Sequence, residues 1–190
     1  MSYLHEYPDA TLQEFLTNEV GSFGDLCYEM GRRVMREESA LTHKEREMMA
    51  AFCLALQGVQ QPLNVHSRCY ALLGGDHWRI QDLVKDDQHR AACEKLRPLL
   101  QIVRKLTGKT GSVCHADIDE CYAVGWDGEA INRTIVLTGF FNMMARWNSG
   151  VGMKYTAEEI VLASDGLTDY GYNGEGAGLN DEAYKQAFGR

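Results

Sequence analysis

Apolar positions along the chain recur at helical rather than strand spacing. Between residues 42 and 57, Met48, Phe52, Ala55 and Leu56 fall at i, i+4, i+7 and i+8, the pattern of one buried helical face, and Gly58 is placed to end that helix. The next stretch carries Leu63, His66, Tyr70 and Leu73 on one face, with Pro62 in its first turn and Gly74-Gly75 as its stop. Three Thr-x-x-Glu groups, at Thr11–Glu14, Thr42–Glu45 and Thr156–Glu159, fit the capping box, in which hydroxyl and carboxylate each satisfy an amide of the first turn. A short helix is predicted from Asp76 to Val84, a longer one from about Arg90 to Thr107 with Pro98 in its early turns or kinking it, and another in CHADIDECYAVGW ending at Gly125.

The segment opened by Asp127, INRTIVLTGFFNMMARWNSG, is different. Ile131, Ile135, Thr138 and Asn142 share a stripe, but Val136, Leu137, Phe140, Phe141, Met143 and Met144 spread apolar surface nearly all round. A helix of this kind over 128–149 needs cover on most sides, inside the domain or at a subunit interface. Alternating strand patterns are almost absent, so the fold class expected is all-α. The organisation expected is one helical domain over 1–165, with a core helix pair at 42–73, followed by an acidic Gly-rich tail at 166–190 that holds at most a helical turn near Glu182–Phe188.

Composition narrows the function classes. A net charge of −8 argues against nucleic acid and against anionic membranes. The first residues lack the basic and apolar regions of a secretory leader, and no apolar run approaches the ~20 residues of a membrane span, so the expected location is the cytoplasm. The GEGAG of the tail has neither a preceding strand nor a following Lys-bearing helix and is not read as a phosphate loop. Six cysteines are scattered without a CxxC, and His43, His77, His89 and His115 have no ligand spacing; neither a metal nor another cofactor is expected.

The stretch EREMMAAFCLALQGVQQPLNVHSR resembles the alkylhydroperoxidase D (AhpD) and carboxymuconolactone decarboxylase superfamily. The redox branch of that superfamily carries Glu, eleven residues, Cys-x-x-Cys, three residues, His. Counted from Glu47, the cysteine positions hold Val59 and Pro62 and the histidine is His66, without a gap. Further along, Lys105-Leu-Thr107, Ala123-Val-Gly-Trp126 and Phe140-Phe-Asn142 with Arg146 are similar to motifs of the superfamily's "peroxidase-related" members. The resemblance implies an AhpD-like helical domain with a central antiparallel helix pair, assembled as a homo-oligomer around a small-molecule site.

Its redox chemistry needs a low-pKa thiolate and a resolving partner, and valine and proline supply neither. Cys69, one turn beyond His66, and Cys53 on the preceding helix are the candidates for a relocated thiol. The decarboxylase branch is similar in another respect: it lacks the CxxC and keeps a His followed two residues later by Arg, as in His66-Ser-Arg68. In that reading His66 is the acid/base, Glu47 its orienter, and Arg68 the grip on a substrate carboxylate, although residues two apart on a helix diverge. Three readings stay open: cofactor-free acid/base chemistry through His66 and Glu47, hydroperoxide reduction by a relocated cysteine, and a non-catalytic oligomer that binds a small molecule.

Overall fold

The computed structural model describes residues 2–9, 15, 23–108, 111–169 and 171. Among them are eight α-helices and no strand: α1 (Gly24–Arg36), α2 (His43–Leu56), α3 (Gln60–Leu72), α4 (Trp78–Lys85), α5 (Arg97–Gly108), α6 (His115–Ala123), α7 (Gly128–Val151) and α8 (Ala157–Asp169), with a single 3-10 turn at Glu94–Leu96 before α5. The expected Thr11–Glu14 box and the turn near Glu182–Phe188 lie outside the described residues.

Local chemistry sets most helix ends. At α2, the Thr42 hydroxyl accepts from the Glu45 amide at 3.2 Å while the Glu45 carboxylate accepts from the Thr42 amide at 2.8 Å. The same exchange opens α8 between Thr156 and Glu159. Asp127 accepts from the Ala130 amide at 2.8 Å and starts α7. Gly58, at φ +68°, takes the left-handed turn that closes α2 at no side-chain cost. Beyond α3, a Cβ on Gly75 would stand 2.2 Å from the Tyr70 ring, so any other residue there would have to displace that ring.

Two expected boundaries move. Asp76 is not the N-cap: its carboxylate accepts from the Trp78 amide at 3.1 Å in a turn just before the helix, whose N-cap is His77, and the helix runs from Trp78 to Lys85. The helix expected from Arg90 begins only at Arg97. Over 86–90 the Asp86 carboxylate takes the amides of Gln88 and Arg90, at 3.1 and 2.9 Å, and His89 turns to φ +52°, so the backbone there is committed to a turn. Pro98 then falls in the first turn of α5, where its missing N–H costs nothing. The last helix runs to Asp169, past residue 165.

Helix α2 is more enclosed than one apolar face requires: Arg46 to Leu54 are buried without a break. It packs most extensively on α3 and also against α7, α4 and α5, while α8 lies on α3. Met49, Phe52 and Leu54 from α2 meet Leu99, Leu100 and Ile102 from α5 and Leu137 and Phe141 from α7 in one core. Each such side chain contributes about 1.5–3 kcal/mol by leaving water. Arg46 is buried with them, and its guanidinium donates to the carbonyls of Leu41, at 2.8 and 3.1 Å, and Val34. Burial pulls that guanidinium's pKa down to about 10, which still leaves it charged at neutral pH.

The long helix α7 is enclosed on most sides but not all. Its buried residues include Ala130, Thr134, Leu137, Phe141, Ala145 and Asn148; of the stripe expected, Ile131 and Thr138 are buried with them while Ile135 and Asn142 are only half-buried. Thr134 and Thr138 are tolerated inside because each hydroxyl donates to the carbonyl four residues back, at 2.9 and 2.7 Å. Val136, Gly139 and Met143 form an exposed edge. No helix among the described residues is long and apolar enough to cross a membrane.

Candidate functional site

Glu47 is carried by the second turn of α2 and His66 by the middle of α3, and the short link at Gln57–Val59 turns these faces toward each other. Nδ1 of His66 lies 2.8 Å from Oε2 of Glu47, and the Glu47 side chain is 0% exposed. The second carboxylate oxygen, Oε1, accepts from Arg36 Nη2 at 2.6 Å. Arg36 is the last residue of α1, and the same nitrogen donates to the Leu167 carbonyl of α8 at 2.9 Å. Sequence spacing points to Glu47 and His66 but gives no sign of Arg36, which reaches them only through the docking of α1 and α8.

Burial by itself would raise the Glu47 pKa. The hydrogen bond and charge from His66, together with the Arg36 guanidinium, outweigh that penalty and hold the carboxyl below its usual range. An ionised carboxylate only accepts, so Nδ1 of His66 carries the hydrogen. In the neutral imidazole the lone pair is then on Nε2. The ring stands edge-on to Phe141, with centroids 4.7 Å apart, and it borders a cavity of about 100 Å³.

That cavity is almost wholly apolar. Phe140, Phe141 and Met144 of α7, Pro62 and Val65 of α3, Met153, and Ala163 and Leu167 of α8 form most of the wall; Cys27 and Tyr28 of α1, Asn148 and Tyr155 complete it. Pro62, which stands at the second cysteine position of the redox pattern, is therefore part of the wall. Val59 is the N-cap of α3 and packs at the margin of the core.

Arg68 is placed elsewhere. Its Nη2 pairs with Asp165 Oδ1 at 2.7 Å, both side chains are about two-fifths exposed, and the residue is not among those lining the cavity. The two thiols considered as replacements are closed off. Cys69 Sγ, fully buried, donates to the Ser164 carbonyl at 3.5 Å, and burial together with the Glu47 charge pushes its pKa well up. Cys53, also fully buried, lies 3.3 Å from the Thr107 hydroxyl, and burial pushes it up to about 11. Neither is a thiolate at neutral pH.

No family model matches the chain, and no curated protein matches it. Among solved structures it is similar to an uncharacterised peroxidase-related protein from Silicibacter sp. TM1040, at 26% identity and a TM-score of 0.65 over 72% of this chain and 71% of that one. It is also similar to an uncharacterised peroxidase-related protein with an alkylhydroperoxidase AhpD core from Ralstonia eutropha JMP134, at 18% identity and a TM-score of 0.70 over 78% and 79% of the two chains. The chain thus has the AhpD-like fold of these peroxidase-related proteins.

Proposed function

We propose that the AhpD-like fold serves here as a cofactor-free acid/base catalyst, with His66 as the proton-transferring group and Glu47 as its orienter. The observation that carries this reading is the 2.8 Å contact between Glu47 Oε2 and His66 Nδ1 on an imidazole that borders an apolar cavity. Glu47 fixes the tautomer and stabilises the imidazolium once His66 has accepted a proton at Nε2. Arg36 keeps the carboxylate ionised and in place. The apolar wall beside the imidazole lowers the local dielectric, which strengthens each of these interactions. The reaction class is reversible proton transfer at a small organic molecule, a lyase or isomerase type of step.

Deuterium incorporation into a panel of small carbon acids in D2O, followed by proton NMR, tests it. Catalysed exchange of at least one compound, lost in His66→Gln and reduced in Glu47→Gln, is expected. Identical rates in wild type, both variants and buffer overturn the reading.

A second reading, reduction of an organic hydroperoxide by a relocated thiol, is favoured by one observation: half-buried Cys27 lines the same cavity as His66. In that reaction the sulfur attacks one peroxide oxygen, the O–O bond breaks, an alcohol leaves, and a dithiol reductant returns the sulfenic acid to thiol. Dithiothreitol-dependent hydroperoxide consumption that disappears in Cys27→Ser would establish it over the acid/base reading.

Under either reading the protein is a homo-oligomer with α2 and α3 as its central antiparallel pair. The exposed apolar edge of α7 at Val136 and Met143 supports that assembly, and sedimentation of the purified chain measures it.

A further inference from the structure

The cavity has a second polar place besides His66. Asn148, at the end of α7, is buried, and its Nδ2 donates to the Tyr155 hydroxyl oxygen at 2.7 Å. The phenol oxygen is thereby an acceptor toward Asn148 and keeps its own hydrogen to give. It reaches toward the Met153 sulfur at 4.0 Å, a thioether with little claim on it. Burial pushes the Tyr155 pKa up, so the group stays a protonated donor across the physiological range. Accepting from an amide also polarises the O–H and strengthens what it donates. Tyr155 and Asn148 both line the cavity that His66 lines.

The rest of the wall limits what can bind. Among the described residues that line it there is no Arg, Lys, Asp or Glu, so a substrate carboxylate entering it would lose its hydration without gaining a counter-charge from them. At about 100 Å³ the space holds a molecule of a few non-hydrogen atoms.

From this arrangement we propose that Tyr155, oriented by Asn148, donates a hydrogen bond to the oxygen of the bound molecule, and that this molecule is a small uncharged carbonyl compound. The proposal rests on the acid/base reading for its chemistry. His66 Nε2 removes a proton from the carbon next to the carbonyl; the C–H electrons form the C=C bond, and the C=O pair moves to the oxygen gripped by Tyr155. Return of the proton to carbon restores the carbonyl, so no oxidant or reductant is consumed. Asn148 acts as a positioning residue.

Ligand-observed NMR titration of the purified full chain with cyclopentanone, cyclopentane and cyclopentanecarboxylate tests the assignment, with deuterium exchange of cyclopentanone's α protons read in the same samples. Wild type is expected to bind the ketone and the hydrocarbon but not the carboxylate at pH 7. In Tyr155→Phe the ketone should bind about fivefold to tenfold more weakly, the loss of one hydrogen bond, with hydrocarbon binding retained as proof of an intact cavity. Asn148→Leu should lower the ratio of ketone to hydrocarbon affinity severalfold, a change that a purely structural role would not produce. His66→Gln should stop exchange without weakening the ketone. If Tyr155→Phe and Asn148→Leu leave the affinity ratio unchanged, if the carboxylate binds better than the ketone, or if wild type binds neither ketone nor hydrocarbon, the donor assignment is overturned. If wild type binds the ketone through Tyr155 yet exchanges no α proton, the acid/base reading fails and the donor assignment stands.

Discussion

Arg36 Nη2 lies 2.6 Å from Glu47 Oε1, and this ion pair, nearly closed to water, sets the behaviour of the site behind it. It makes an ionised carboxylate at zero exposure tolerable, and the ionised carboxylate in turn fixes which nitrogen of His66 is protonated.

The first expected outcome concerns pH. The Glu47 carboxyl titrates below its ordinary value of 4.5 in the folded chain, so the stability it contributes is complete above that value and is lost as pH falls toward the folded pKa. Urea midpoints measured from pH 7 downward should therefore decline below about pH 4.5 in wild type, and the decline should be shallower in Glu47→Gln. At pH 7, Glu47→Ala leaves the Arg36 charge without its carboxylate and should cost on the order of 3–5 kcal/mol.

Thiol accessibility gives a second. Cys53, Cys69 and Cys121 are buried and their pKa values are raised by burial, those of Cys53 and Cys121 to about 11, while Cys93 and Cys114 are exposed. Brief iodoacetamide labelling of the native chain at pH 7 should modify Cys93 and Cys114 and spare the three buried thiols until denaturant is added, as peptide mass spectrometry would record.

A third concerns Arg68. Because it pairs with Asp165 at the surface and takes no part in the cavity wall, Arg68→Ala should change small-molecule affinity by less than about twofold and stability by less than about 1 kcal/mol. A tenfold loss of affinity in a thermal-shift titration would return Arg68 to the binding site.

The fourth reinstates the sulfurs. Val59 is the N-cap of α3 and Pro62 lies in its first turn, where no intrahelical amide bond is lost by proline or gained by its removal. The double variant Val59→Cys, Pro62→Cys should fold with an unchanged helical circular dichroism spectrum. Its new thiols, at a helix N-terminus beside His66, should react with iodoacetamide at pH 7 faster than free cysteine. Reaction no faster than free cysteine would mean that the pocket no longer lowers a thiol pKa.

The features legible in the sequence are those decided within a few residues. Thr42 with Glu45, Thr156 with Glu159 and Asp127 with Ala130 mark helix starts because the partners of each bond are three residues apart. The meeting of Glu47 and His66 was legible through the resemblance, whose Glu-to-His spacing of 19 residues this chain keeps; one tight turn joins their helices. The start of α5 was not: helical periodicity continues back to Arg90, but the Asp86 side chain takes the amides there before a helix can use them. Arg36 and the Asn148–Tyr155 pair were hidden for another reason. Their roles depend on where α1 and the end of α7 dock, and a basic residue closing an amphipathic helix looks the same in sequence whether it faces water or a buried carboxylate.

One guanidinium donor is shared between Glu47 of α2 and the Leu167 carbonyl of α8, while the arginine itself ends α1. The hydrogen bonds that hold the site's cation in place therefore reach across 131 residues of chain. Such a centre cannot be excised and grafted: a fragment holding only the α2–α3 hairpin would carry the acid/base couple without the cation that keeps it ionised. Transplanting this chemistry into another scaffold requires moving a four-helix junction rather than a motif.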